Sequence, residues 1–364
     1  MRQALTTRGD LTSYAVTAIE DVDVPALMAL LDAAWQADYR DQVRLAFDET
    51  FLRWLMVEPE WVGIVLCTRD GTPVGFEMAL ARTLYCQQHP LAAYYATLFT
   101  VAPEYRRQGL GQWLLEELNQ QVFGVRGAAV LFSVFHSGHA GSPTVQATFD
   151  RLADWGVQRF HTSPIWGLRL DRAPLPPLDH PVAAIRVGLP RGETYLTPQP
   201  PDTSFPVNNL PEVTTLTADL AAHYQVFFGF DKSFRTQYLQ PGIKHSGTFW
   251  YTFEPGSYCS LSFHLNMLQR NEQYLGRAGQ IQTVYATHCT AAQLQQALHH
   301  LGRWFQDEGC FAVTLLDQGV IPHHVLQALH FRPGEDQMLF AVRGPRSSIA
   351  AFTTVQPPYG LDFC

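Results

Sequence analysis

Residues 98–118 constrain the fold of this chain more than any other segment. They read LFTVAPEYRRQGLGQWLLEEL, in which an apolar run ends at Val101 and Pro103 stops further strand pairing. Gly109 and Gly111 then open a segment whose leucines recur at helical spacing. The segment therefore predicts a strand, a short turn and an amphipathic helix with glycine in its first turn.

The start of this helix is predicted to bind an anion. The first amide groups of a helix have no partner inside it, and the helix dipole makes that end positive. Glycine leaves the backbone open to close approach, because it has no Cβ. Arg106 and Arg107 add two positive charges, and arginine forms strong charge-assisted hydrogen bonds. A pyrophosphate group is the ligand that this arrangement indicates.

The pattern Arg106-x-x-Gly109-x-Gly111, preceded by a strand and a Val-x-Pro-Glu-Tyr turn, resembles the coenzyme A motif of the GNAT superfamily of N-acetyltransferases. The resemblance extends from residue 12 to residue 172 and implies acetyl-coenzyme A as co-substrate. It implies that the strand end lines the pantetheine arm, through Phe99, Thr100 and Val101. It also implies that the loop and helix start hold the pyrophosphate, through Arg106, Arg107, Gln108, Gly109, Leu110, Gly111 and Gln112. The alternative is an ordinary strand-to-helix turn with surface arginines.

The element pattern predicts two domains of similar architecture. Over residues 1–188 the predicted order is β-α-α-β-β-β-α-β-α-β, closed by a strand at 165–170, which describes a mixed sheet with helices on both faces. Residues 189–211 are rich in proline and polar residues, which indicates an extended linker. Residues 212–364 repeat the order in weaker form. The expected fold class is therefore α/β with an α+β mixed sheet, in two tandem GNAT-like domains.

The C-terminal half lacks the coenzyme A motif. Its first elements are predicted as a strand at 213–216 and a helix at 218–228. Its counterpart of the motif helix begins within residues 287–297, THCTAAQLQQA, without glycine or arginine. Thr290 is predicted to cap that helix, which leaves no open phosphate cradle. We therefore expect a degenerate copy that shapes the acceptor site or replaces a partner subunit.

The sequence assigns no general acid. In the family, a tyrosine on the helix after the next strand protonates the leaving thiolate, a few residues before a Gly-Phe pair. The pair corresponds here to Gly156-Val157, and the tyrosine position falls on Leu152, or on Phe149 if the helix is one turn longer. Neither side chain donates a proton. A non-catalytic coenzyme A sensor or scaffold is therefore an alternative to an enzyme.

The candidate general base is Glu77, a carboxylate inside an apolar strand. Burial raises the pKa of a carboxyl group, which would let Glu77 act as a base near neutrality. Alternatively, Glu77 faces solvent or pairs with Arg82 or Arg107. His136 and His139, which follow the predicted strand that ends at Phe135, are further candidates for the base.

Composition limits the partners of the chain. Of its 364 residues, 46% are hydrophobic and 16% are charged, and the formal net charge is -8. No basic cluster could follow a phosphate backbone, which argues against nucleic acid, and the acidic balance favours a cationic acceptor. The six cysteines lack zinc spacing and are expected to be buried free thiols. We expect a small-molecule or peptide amine as the acceptor, and neither a metal ion nor a membrane as a partner. The protein is expected to be a cytoplasmic monomer or homodimer. A longer acyl-coenzyme A is an alternative donor.

Overall fold

The computed structural model describes residues 2–39, 42–46, 48–56, 60–136, 156–178, 184–187, 213–229 and 246–361. Within these ranges the chain forms seven α-helices and sixteen β-strands. The helices are α1 (Val24–Tyr39), α2 (Glu49–Leu55), α3 (Leu110–Asn119), α4 (Val213–His223), α5 (Ala291–Asp307), α6 (His323–Ala328) and α7 (Arg346–Ile349). The strands are β1 (Gln3–Arg8), β2 (Leu11–Val16), β3 (Arg44–Ala46), β4 (Trp61–Thr68), β5 (Pro73–Cys86), β6 (His89–Val101), β7 (Val130–His136), β8 (Gly156–Arg169), β9 (Ala184–Val187), β10 (Val226–Phe228), β11 (Ser246–Glu254), β12 (Ser257–Arg270), β13 (Gln273–Thr287), β14 (Cys310–Leu316), β15 (Arg332–Gly344) and β16 (Tyr359–Gly360).

The strands form one mixed sheet. Its main order is β1-β2-β4-β5-β6-β7-β15-β8-β14-β13-β12-β11-β9, with β3, β10 and β16 attached to it off this path. Most neighbours are antiparallel, whereas β6 with β7, β13 with β14 and β10 with β16 are parallel. This architecture confirms the predicted α/β class with a mixed sheet, repeated in two halves.

The two halves exchange their closing strands. The predicted strand at 165–170 lies almost entirely within β8, but it pairs with β14 of the C-terminal half instead of closing the N-terminal series. The place beside β7 is taken by β15, which pairs antiparallel with β7 on one edge and with β8 on the other. The predicted role of this strand is therefore wrong. Alternation in sequence identifies a strand and its buried face, but it does not identify the neighbouring strand.

The start of the C-terminal half is a helix. Residues 213–216, predicted as a strand, are the first residues of α4, and the predicted helix at 218–228 ends in β10. Leu216, Leu220 and Tyr224 are buried and recur every four residues, which is a helical period. This spacing determines the structure, and the β-branched residues Val213, Thr214 and Thr215 at the start of the segment do not.

Two hydrophobic cores cover the sheet. The first joins α1 and α3 to the N-terminal strands and also contains Trp250, Tyr258 and Tyr285 of the C-terminal half. The second joins α5 and α6 to the strands β12 to β14. Helix α3 packs on β4 and β5, where Gly75 lies against Leu114. Because the first core draws on both halves, the N-terminal half depends on contacts from the whole chain.

The described residues also bear on smaller predictions. No helix among them combines the length and the apolar character needed to cross a bilayer. The described cysteines are free, and all except the half-buried Cys289 are buried. The helix expected at 143–155 and the linker at 189–211 lie outside the described residues. The domain boundaries at residues 188 and 212 stay predictions.

Candidate active site

Two parallel strands separate beside α3. β6 and β7 pair only where Ala93 to Ala96 lie beside Val130 to Ser133. Beyond this point β6 continues along β5 as far as Val101, while β7 continues along β15. A wedge therefore opens between the carboxyl ends of β6 and β7. Such openings at strand ends are where α/β proteins bind ligands.

A β-bulge marks the point of separation. The register of β5 and β6 shifts so that Leu98 and Phe99 lie opposite the single residue Glu77. Leu98 has a positive φ of 56°, which is uncommon for leucine. A bulge leaves the extra residue out of the hydrogen-bond ladder and changes the direction of its backbone groups. The bulge thus places backbone outside the ladder at the mouth of the wedge.

The helix after β6 begins with an open cradle. Gly109 precedes α3 in a left-handed conformation with φ 81°, and no described side chain caps the helix there. A Cβ on Gly109 would point into open space, whereas a Cβ on Gly111 would stand 3.0 Å from the ring of Phe99. Gly109 therefore leaves room for a ligand, and Gly111 allows the helix to approach β6. A pyrophosphate fits this cradle, because the first-turn amides have no acceptor inside the helix.

The polar side chains of the loop divide between contacts with the protein and exposure to solvent. Arg106 binds Asp38 of α1 and two backbone carbonyls, so its guanidinium is held within the protein. Arg107 and Gln108 are exposed next to Gly109. The structure thus brings the predicted loop residues together, but it fixes the Arg106 side chain to α1.

The predicted pantetheine residues at the end of β6 alternate between two faces. Phe99 contacts the first turn of α3 at Gly111, and Val101 pairs with Gly75, which also faces α3. Thr100 points to the other face and is buried, and its Oγ1 has no hydrogen bond within the described part of the chain. All three residues border the wedge. Because their side chains alternate between the two faces, only their backbone groups form a continuous edge along it.

Glu77 is a buried carboxylate beside the bulge. It is 3% exposed, and its Oε2 atom accepts no hydrogen bond from a described residue. Burial raises the pKa of Glu77 to about 7, and the positive charge of Arg343 acts in the opposite direction. Glu77 therefore does not face solvent, and its interacting cation is Arg343 rather than Arg82 or Arg107. A carboxylate with this pKa exchanges protons near neutral pH.

Arg343 belongs to the C-terminal half. It lies on β15 opposite Leu131 of β7 and is 2% exposed. Burial lowers the pKa of Arg343 to about 10, and the charge of Glu77 opposes this shift. The strand exchange brings Arg343 to the N-terminal site. Sequence reasoning missed it, and an arginine directly after the apolar run 338–342 was the single available signal.

The histidine candidates are only partly described. His136 ends β7 at the wedge and pairs with Met338 of β15. His139, and the positions Phe149 and Leu152 considered for the acid, lie outside the described residues. Among the residues that are described, no group of three or more His, Cys, Asp or Glu side chains is placed to hold a metal ion.

The matching opening in the C-terminal half is filled by its own residues. β13 and β14 are again parallel, and a register shift places Gln282 in a bulge. The Nε2 of Gln318 donates to the carbonyls of Gln282 at 3.4 Å and Leu361 at 2.9 Å, and its Oε1 accepts from the Leu361 amide at 2.7 Å. Thr290 and Gln293 form a capping box at the start of α5, which confirms the predicted cap. The described part of this half, residues 213–229 and 246–361, therefore presents neither an open wedge nor an open cradle.

The chain is similar to GNAT proteins in sequence and in fold. Residues 25–142 match the Acetyltransferase (GNAT) family. The structure of Saccharomyces cerevisiae N-myristoyltransferase with bound myristoyl-CoA has a TM-score of 0.66 at 13% identity, over 94% of this chain and 80% of that one. A tandem GNAT protein from the clavulanic acid biosynthesis pathway has a TM-score of 0.55 at 14% identity, over 91% and 98% of the two chains. No curated protein matches the chain by sequence.

The pKa of Glu77 predicts how stability depends on pH. The folded-state pKa of about 7 exceeds the ordinary value of 4.5, so the folded protein binds this proton more tightly than the unfolded chain does. The contribution of this bound proton to the stability of the folded state is therefore complete below pH 4.5, and it is lost as the pH rises to 7. As the pH rises over that range, the free energy of unfolding of Glu77→Gln should increase by up to about 3 kcal/mol relative to that of the wild type.

Urea denaturation of both proteins at pH 5 and pH 8 measures this difference. Glu116→Gln, at a partly exposed glutamate on α3, is the control for removing a carboxylate outside the core. A stability difference between the wild type and Glu77→Gln that is the same at both pH values would contradict the raised pKa.

Proposed function

From the premise that this chain is a tandem-domain protein of the GNAT superfamily, we propose that it transfers an acetyl group from acetyl-coenzyme A to a primary amine of a small molecule or peptide. The proposal rests mainly on three features that occur together in the N-terminal half. They are the wedge, the bulge at Leu98 and the start of α3 without a side-chain cap. The filled opening of the C-terminal half supports a single coenzyme A site per chain.

The proposed donor site uses the backbone more than side chains. The amides from Gly109 to Gln112 would hold the pyrophosphate, with the exposed side chains of Arg107 and Gln108 beside it. The pantetheine arm carries two amide groups, and β6 no longer pairs with β7 from Phe99 to Val101, although the Val101 carbonyl already accepts a hydrogen bond from Arg106. The arm would therefore bind as an added strand in the wedge.

The proposed chemistry needs a hydrogen-bond donor and a proton acceptor. Acetyl-coenzyme A supplies an activated acyl group. A bulge amide at Phe99 would donate to the carbonyl oxygen as it becomes negative. Glu77, opposite that bulge, would accept the proton that the ammonium group loses, directly or through water. Because a thiolate is a good leaving group, the proposal requires no tyrosine acid.

Aromatic packing supports a short acyl chain. Phe132 lies on β7 just below the wedge and is completely buried. Its ring packs against Tyr95 at 5.7 Å, Phe228 at 5.4 Å and Phe340 at 6.5 Å between centroids. A long acyl chain that extends in this direction would have to displace these rings. The acidic net charge of -8 in turn supports a cationic amine as acceptor.

Replacing the cradle glycine tests donor binding. Gly109→Trp places a large ring in the open space above the helix start, so we expect acetyl-coenzyme A to bind about 100-fold more weakly. Gly127→Trp is the matched control. Gly127 also has a positive φ and open space beside it, but it lies between the end of α3 and the start of β7. Calorimetry should show one site per wild-type chain. If acetyl-coenzyme A does not bind to the wild type, or binds at two sites per chain, the proposal of a single donor site is wrong.

Removing the carboxylate tests the proposed base. Glu77→Gln should lower kcat about 100-fold or more, because the general base is lost. The wild-type rate should fall below pH 7 as Glu77 takes up a proton, and the variant should lack this limb. The measurement is kcat against pH with a responsive amine from an acceptor screen.

Retention of both the rate and the acid limb in Glu77→Gln would show that Glu77 is structural. Donor binding to the wild type without turnover on any amine would favour the alternative of a coenzyme A sensor.

A donor series tests the acyl length. We expect kcat/KM to fall at least about 10-fold between acetyl- and octanoyl-coenzyme A, because each added methylene meets the packed rings. The same acceptor and pH are used for every donor, and free coenzyme A serves as a competitor to normalise binding. Equal or faster transfer from myristoyl-coenzyme A would instead assign a long-chain donor.

A further inference from the structure

Arg106 has a role that its place in the motif does not suggest. Its guanidinium forms two hydrogen bonds to Asp38, with Nη2 at 3.0 Å from Oδ2 and Nη1 on Oδ1. Its Nε donates to the carbonyl of Val101 at 3.1 Å, and Nη2 also lies 3.3 Å from the carbonyl of Ala34. These contacts use both edges of the guanidinium within the protein.

The contacts join three elements that meet at the donor site. Val101 is the last residue of β6, Arg106 begins the loop, and Ala34 and Asp38 lie in the last two turns of α1. A two-pronged arginine–carboxylate pair fixes both partners in orientation as well as in distance. The loop therefore leaves β6 in a direction set by α1.

The pair with Arg106 offsets an unfavourable position of Asp38 in α1. A carboxylate in the last turn of a helix is close to the negative end of the helix dipole, which is unfavourable. Its side chain is only 12% exposed, so water compensates it poorly. The Arg106 guanidinium supplies a positive charge at this carboxylate. Helix α1 has no basic residue of its own in that turn.

We infer that Asp38 is a positioning residue for the coenzyme A loop, and that Arg106 acts on the donor through this pair instead of as a phosphate ligand. The pair holds the end of β6 and the loop so that the amides after Gly109 face the pyrophosphate. This inference rests on the proposed donor site.

Two readings of Arg106 predict opposite effects of changing Asp38. If the pair positions the loop, Asp38→Asn frees Arg106, loosens the loop and weakens coenzyme A binding; we expect about a 10-fold rise in Kd and in the KM for acetyl-coenzyme A, with kcat little changed. If Arg106 is instead a phosphate ligand that Asp38 competes for, the same change leaves binding equal or makes it tighter.

Calorimetry with coenzyme A on the full chain decides between them without any acceptor. Arg106→Lys keeps the charge but loses the paired geometry, so it should weaken binding as Asp38→Asn does, and the double variant should be no worse than Arg106→Lys. Asp38→Glu should restore part of the affinity. Glu49→Gln, which breaks the exposed Arg53–Glu49 pair on α2, is the matched control and should bind as the wild type does.

The outcomes separate the two proposals. Unchanged or tighter binding by Asp38→Asn, or fully additive effects in the double variant, overturns the positioning role while the donor site stands. Absence of coenzyme A binding to the wild type overturns the donor site and this inference with it. Thermal denaturation of each variant shows that it is folded. If Asp38→Asn is not folded, Asp38→Glu carries the test, because the altered pair geometry weakens coenzyme A binding only if the pair positions the loop.

Discussion

The insertion of β15 between β7 and β8 is the arrangement on which the rest of the molecule depends. The edge of a strand carries amides and carbonyls that must be paired or covered, and β7 obtains its second partner only from near the end of the chain. With β7 held to β15, it parts from β6 beyond Ala96, and this separation creates the wedge. The same insertion brings Arg343 within electrostatic range of Glu77. The N-terminal site is therefore a property of the complete fold.

The buried pair of unlike charges is a compromise between stability and chemistry. Removing a carboxylate from water is costly, and a nearby guanidinium offsets only part of that cost. The raised pKa of Glu77 shows that desolvation outweighs the attraction to Arg343. A core chosen for stability alone would hold an apolar residue at this position, since the side chain at position 77 is only 3% exposed. Such an energetically unfavourable group at the opening of a ligand site is typical of a functional residue.

The sequence predicts what depends on neighbours in the chain. The strand, turn and glycine-started helix of residues 98–118 and the cap at Thr290 follow from local rules, and the structure shows both. The partner of Arg106 on α1 and the approach of Arg343 to Glu77 depend on how distant elements pack. Periodicity gives each element its buried face, but it says nothing about which edge that element will share. The exchange of β8 and β15 therefore lies beyond reasoning of this kind.

The two halves show the same architecture under different demands. At the start of α5, the Thr290–Gln293 capping box satisfies two backbone amides, and Gln318 binds the bulged strand and Leu361. This is how the fold closes such a site when stability is the only requirement, since buried polar groups need partners. At the start of α3 the same amides face open space beside Gly109, without a side-chain cap. One half supplies its own hydrogen-bond partners, and in the other that role would fall to the ligand of the proposed donor site. The asymmetry between the halves thus supports the proposed donor site in the N-terminal half.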